Sequence, residues 1–167
     1  QQRNTDKIRE VYGWMLGRLT TSGWSDVALV APYVVVCIAL LIAHRRVLDV
    51  FAVGDEEAST MGLPVARARG AIIIAASLGT AAAVSVTGLI GFVGIIVPHA
   101  LRLIVGNSYR RLVPMSGLYG AAYLVIADTV ARSALAPAEI PIGVVTALIG
   151  APFFLVVLSG KQSAAIA

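Results

Sequence analysis

"SDVALVAPYVVVCIALLIAH", residues Ser25 to His44, decides the fold. Past Asp26 it carries no formal charge until the basic border of His44, Arg45 and Arg46. A helix needs roughly 20 apolar residues to cross the hydrocarbon core of a bilayer, and this run is long enough. A soluble amphipathic helix carries a polar residue every turn or so, and this one does not. Three more runs fit the same ruler: "ARGAIIIAASLGTAAAVSVTG" from Ala68 to Gly88, "LVPMSGLYGAAYLVIADTVAR" from Leu112 to Arg132, and "PIGVVTALIGAPFFLVVLSG" from Pro141 to Gly160. A fifth, shorter run, "LIGFVGIIVPHALRLIVG" from Leu89 to Gly106, reads as interrupted by Pro98. The expected fold is all-α, a polytopic transmembrane helical bundle with five crossings.

Composition agrees. The chain of 167 residues is 58% hydrophobic and only 13% charged, whereas a soluble domain carries about a quarter of its residues charged. The net charge of +4 does not point to nucleic acid, because the basic residues sit at the ends of apolar runs and not along one polar face. The lone Cys37 excludes an intramolecular disulfide or a cysteine metal cluster and reads as a small packing residue. Gln1 to Gly23 is polar, mixed in charge and unlike a signal peptide, so the chain reads as a fragment that starts mid-protein.

Lys and Arg positions set the orientation. With the first span running inward, Arg45, Arg46, Arg67, Arg69, Arg102, Arg110, Arg111 and Lys161 all fall on the cytoplasmic side. Arg132 and the amino-terminal Arg3, Lys7, Arg9 and Arg18 then lie outside. The expected order is a segment on the outer side at 1–24, a span at 25–44, short cytoplasmic helices at 45–67, and a span at 68–88. A short broken span at 89–106, a cytoplasmic loop at 107–111, a span at 112–133, a periplasmic turn at 134–140, a span at 141–160 and a cytoplasmic tail at 161–167 complete it.

Between the first two spans lies "VFAVGDEEASTMGLPV", Val50 to Val65. Asp55, Glu56 and Glu57 complement the positive end of a helix dipole, Gly62 suits the position just past a helix end, and Pro64 suits a helix start. "DEEASTM" is therefore expected as a two-turn helix in a surface knob, with Ala58 and Met61 offering a small apolar contact. Composition leaves two readings open: a knob that docks into a groove on a soluble partner, or a capped loop helix at the membrane surface.

Other positions stand out. Asp128 and Arg132 are four apart on one helix face and can pair, as a structural pair near a span end or as a functional charge. Glu139 lies in a turn stiffened by Pro137 and Pro141, as a solvated acid or a binding residue. Gly91, Gly94 and Gly117 either pack helices closely or line a path. His99 after Pro98 reads as part of a kinked helix end at the cytoplasmic surface, or as a gate. A lone histidine without a second ligand makes a poor metal site, and no metal site is expected. Neither a GxxxxGK loop nor a catalytic triad occurs, so no catalytic residue is assigned and any ATP is hydrolysed by another chain.

"VGDEEASTMGLPV", "GLIGFVGIIVPHALRLIVGNSYRRLVPMSG" and "ADTVARSALAPAEIPIGVVTALIGAPFFLVVL" resemble, in order, stretches of the FecCD-type permease subunits of bacterial ABC importers for cobalamin, ferric siderophores and haem. "REVYGWMLGRL" is similar to the segment before that family's sixth span. The resemblance implies the second half of a ten-span subunit that works as a dimer of copies or of paired halves in the inner membrane. It implies partners: a cytoplasmic ABC ATPase, which carries the ATP and Mg, and a periplasmic or lipid-anchored substrate-binding protein. No cofactor is expected in this chain. On the same resemblance Gly54, Asp55, Glu56, Glu57, Ala58, Met61, Gly62, Leu63 and Pro64 couple to the ATPase, and Arg132 docks the binding protein with Asp128 holding or screening it; Glu139 is a further docking candidate. The rivals are an ion-coupled secondary transporter with Asp128 as its ion site, and a membrane scaffold that transports nothing.

Overall fold

The computed structural model describes residues 11–19, 23–54, 58, 60, 64–134 and 139–165, and every regular element among them is helical. Helix α1, Trp24–Ala43, is the first apolar run. Asp26 fixes its start: the Gly23 N–H donates to Oδ2 at 2.9 Å, and the charge complements the positive helix end. At the other end the His44 Nδ1–H donates to the Leu40 carbonyl at 2.8 Å, which sets the ring's tautomer. The chain turns directly into α2, Arg45–Phe51. Then come α3, Val65–Thr87, α4, Val93–Val105, α5, Tyr109–Ser133, and α6, Ile142–Ala165.

Helices α1, α3 and α5 are long and apolar enough to cross a membrane. With 13 residues, α4 rises only about 20 Å and falls short of the ~30 Å hydrocarbon core. The break in this segment lies elsewhere than expected. Pro98 sits inside α4, where it forfeits only the bond to the Gly94 carbonyl, and the helix continues on both sides. The irregular part is 88–92. "PHALR" is thus helix interior and not a helix end, and the His99 ring packs edge-on to Phe153 of α6, centroids 5.8 Å apart. The stretch 107–111 is likewise only partly loop. Ser108 caps α5, its carbonyl accepting the Arg111 and Leu112 N–H groups at 3.2 and 3.0 Å, so Arg110 and Arg111 lie in the first helical turn.

The chain divides into two compact units, one of Gln1–Thr21, Thr87–Ala100 and Leu118–Ala167, the other of Ser22–Val86 and Leu101–Gly117. In the first unit Ala127 and Ala131 of α5 pack on Ile142 and Val145 of α6, flanked by Leu19, Ile90, Leu124 and Ile140. Two alanines on one face let the helix backbones approach closely. Beside this core, three backbone segments meet. Arg18 N–H donates to the Thr87 carbonyl at 2.9 Å, Leu89 N–H to Trp14 at 3.3 Å, and Gly143 N–H to Leu16 at 3.1 Å. Two of the positions require glycine: a Cβ on Gly88, whose φ is +71°, would collide with the Trp14 carbonyl, and one on Gly143 with the Leu16 carbonyl.

Phe92 opens α4 with a φ of 66°, which is strained for an aromatic residue. Its ring occupies the space a side chain at Gly150 of α6 would need. Gly150→Ala is therefore expected to cost about 2 kcal/mol, read as a lowered thermal midpoint of the detergent-solubilised protein. Gly91, Gly94 and Gly117 differ: a Cβ on any of them meets nothing within 4 Å in this chain, so they do not mediate its close contacts.

In the second unit α1 and α3 touch through Cys37 and Gly79, where an added Cβ would lie 3.0 Å from the cysteine Cβ. Cys37 is a free, buried packing residue. The Arg69 guanidinium lies 5.4 Å from the Phe51 ring centroid and holds the start of α3 against the end of α2.

Candidate functional site

The expected coupling segment follows α2. Gly54, with a φ of 150°, ends the preceding turn, and its carbonyl accepts the Ala58 N–H at 3.1 Å, a helical spacing. At the far side the Pro64 carbonyl accepts the Ala68 N–H at 3.0 Å and starts α3. Asp55, Glu56, Glu57, Met61, Gly62 and Leu63 lie outside the described residues. Ala58 departs from expectation. It is fully buried within the chain and so presents no contact surface of its own to a partner.

At one end of the first unit, Arg18, Asp128, Arg132 and Glu139 line a recess of about 300 Å³ together with Tyr12, Leu19 and Pro141. Asp128 and Arg132 stand one turn apart at the end of α5, and Arg132 Nε donates to Asp128 Oδ2 at 2.7 Å. This exposed i,i+4 pair contributes only about 0.3–0.5 kcal/mol to stability. The Arg132 Nη groups have no partner among the described residues, leaving a planar fork of donors with the geometry to take a carboxylate. Arg18 adds a second cation, its side chain folded over the backbone of Gly13. The Ile140 N–H bond to the Ala131 carbonyl, 3.1 Å, pins the segment carrying Glu139 beside the pair. Asp128 is paired and partly exposed near a helix end, unlike an ion site at the membrane midplane.

The model of the FecCD transport family matches residues 1–160. The chain belongs to the FecCD transport family. Among FecCD relatives, the cobalamin import system permease protein BtuC of Halobacterium salinarum is 49% identical over 160 residues, 96% of this chain and 43% of that protein. The hemin transport system permease protein HmuU of Yersinia pestis is 37% identical over 149 residues, 89% of this chain and 45% of that one. The Fe(3+) dicitrate transport system permease protein FecD of Escherichia coli is 41% identical, covering 85% of this chain and 45% of that one. A solved metal-chelate type ABC transporter in an inward-facing conformation superposes with a TM-score of 0.86 at 34% identity, over 92% of this chain and 50% of that chain. This FecCD chain therefore spans somewhat under half the length of the curated relatives it matches. Its family and apolar helices make it an integral membrane protein.

Two positions that shape these surroundings escape sequence reading. Asp49 on α2 accepts the Ser108 hydroxyl at 3.0 Å and the Tyr109 N–H, tying the helix that precedes Gly54 to the start of α5. A single acid inside a basic border, "RRVLDVF", and a serine ahead of a helix are the available signals, but nothing local pairs them across 59 residues. Asp49→Ala leaves two donors at the α5 start uncapped. It is expected to cost about 1–2 kcal/mol, seen as a lowered melting temperature that Ser108→Ala reproduces only in part. Arg18 is the other missed residue, since its place in the recess depends on the tertiary bond from its own N–H to Thr87. Among the described residues no cluster of three His, Cys, Asp or Glu side chains is arranged to hold a metal ion.

Proposed function

We propose that this chain forms the carboxy-terminal half of the permease subunit of an ATP-driven importer, moving a bulky metal chelate of the ferric siderophore, haem or cobalamin type across a bacterial inner membrane. The FecCD match across 1–160 carries this reading. In it a second permease copy or half completes the pathway, a substrate-binding protein sets an acidic side chain on the Arg132 fork, and a separate ATPase with ATP and Mg engages the segment from Gly54 to Pro64. Closure of the ATPases shifts the helices between two packings, so the pathway opens to each side in turn. Nothing covalent is asked of this chain.

The test is uptake by proteoliposomes holding the full-length permease, its ATPase and its binding protein, offered cobalamin, haemin and ferric citrate in turn. One of these accumulating only with ATP and with both partners present is the expected result. Uptake that proceeds without the ATPase and collapses with a protonophore replaces the proposal with secondary transport; no uptake of any of the three overturns the substrate class.

A further inference from the structure

A second polar cavity lies in the second unit, away from the recess. It holds about 470 Å³ and is lined by Arg45, Val105, Ser108, Arg110 and Arg111. None of the three guanidiniums has an ion-pair or hydrogen-bond partner among the described residues. Asp49, which accepts the hydroxyl of the cavity-lining Ser108 and the Tyr109 N–H, makes no ion pair with them among the described residues; its single charge offsets one of the three and leaves the cavity net positive. Like charges gathered around one cavity repel unless an anion sits among them.

The surroundings say which anion. Arg45 follows the end of α1, Val105 ends α4, and Arg110 and Arg111 lie in the first turn of α5. The cavity therefore sits where three apolar helices stop, the level at which hydrocarbon gives way to headgroups. Immediately before Val105, Leu103 and Ile104 are 82% and 79% exposed, an apolar strip of the kind that accompanies an acyl chain. We propose that this cavity binds the phosphate of an anionic phospholipid, with Arg45, Arg110 and Arg111 donating to its oxygens and an acyl chain lying along Leu103 and Ile104. Guanidinium forks match phosphate oxygens in pairs, and basic pockets between membrane helices select anionic headgroups.

The experiment is native mass spectrometry of the full-length, detergent-solubilised permease titrated with phosphatidylglycerol or phosphatidylcholine, without ATP or transport partners, so its result is independent of the import reading. The parent is expected to retain phosphatidylglycerol selectively. Arg110→Gln with Arg111→Gln lowers that affinity about 25-fold, and Arg45→Gln alone about fivefold, while Arg46→Gln with Arg67→Gln, the same loss of charge outside the cavity, stays within about threefold of the parent. Equal losses in both double variants, or no loss with Arg45→Gln, reduce the effect to diffuse surface attraction and overturn the site. If millimolar inorganic phosphate displaces the lipid and binds with the same arginine dependence, the ligand is free phosphate and the lipid assignment fails. Protection of these arginines from phenylglyoxal by the ATPase, and not by phosphatidylglycerol vesicles, makes the cavity a protein contact and overturns it as well.

Discussion

Full-length permease carrying Arg132→Glu is expected to lose on the order of 100-fold of its uptake rate at limiting binding protein. Truncating one partner of a charge pair buried at an interface costs about 2–5 kcal/mol, and the reversal adds a third acid to a recess that already holds Asp128 and Glu139. The fold barely notices, because the pair it breaks is an exposed i,i+4 contact. The decisive readout is the split between the two: uptake at limiting binding protein falls, saturating binding protein restores much of it, and the melting temperature moves little. Asp128→Ala leaves the Arg132 cation in place and stays within about threefold of the parent. A reversed variant that takes up substrate normally removes Arg132 from docking, and one that unfolds makes the pair structural.

The second large effect falls on a residue with no charge. Gly143→Ala is expected to destabilise the protein by about 3 kcal/mol or more, because the new methyl collides with the Leu16 carbonyl and breaks the bond from its own N–H to that oxygen. Both parties are backbone, so no rotamer relieves the clash. Gly120→Ala is the control: a Cβ there meets nothing within 4 Å, and removing a helical glycine stabilises by about 0.5–1 kcal/mol. Size-exclusion profiles of heated, solubilised variants separate the two. Equal stability of both substitutions means that the three-way backbone junction does not hold this end of the molecule together.

Much of the architecture is readable from the chain because hydropathy is a local property. The runs at Ser25–His44, Ala68–Gly88 and Leu112–Arg132 become α1, α3 and α5 with ends shifted by a few residues, and the pairing of Asp128 with Arg132 follows from helical spacing alone. What fails to show in sequence depends on contacts made elsewhere. Pro98 looks like the break, yet α4 runs through it; the irregular stretch is held by Trp14, Phe92 and Gly150, far apart in sequence. Ala58 sits among residues expected to face a partner, and only its burial shows that it faces inward. Asp49 and Arg18 carry ordinary side chains in ordinary composition, and tertiary hydrogen bonds alone give them their roles.

The irregular stretch ahead of α4 also leaves backbone groups that a continuous helix would have paired. Among the described residues the carbonyls of Leu89 and Ile90 accept no hydrogen bond. In hydrocarbon, each unsatisfied group of this kind costs several kcal/mol. A helix only about 20 Å long cannot carry its own entry strand through that medium, so these two oxygens require either protein donors or solvent at their depth. Entry into α4 therefore depends on what surrounds these two carbonyls, and not on the hydropathy of the helix alone.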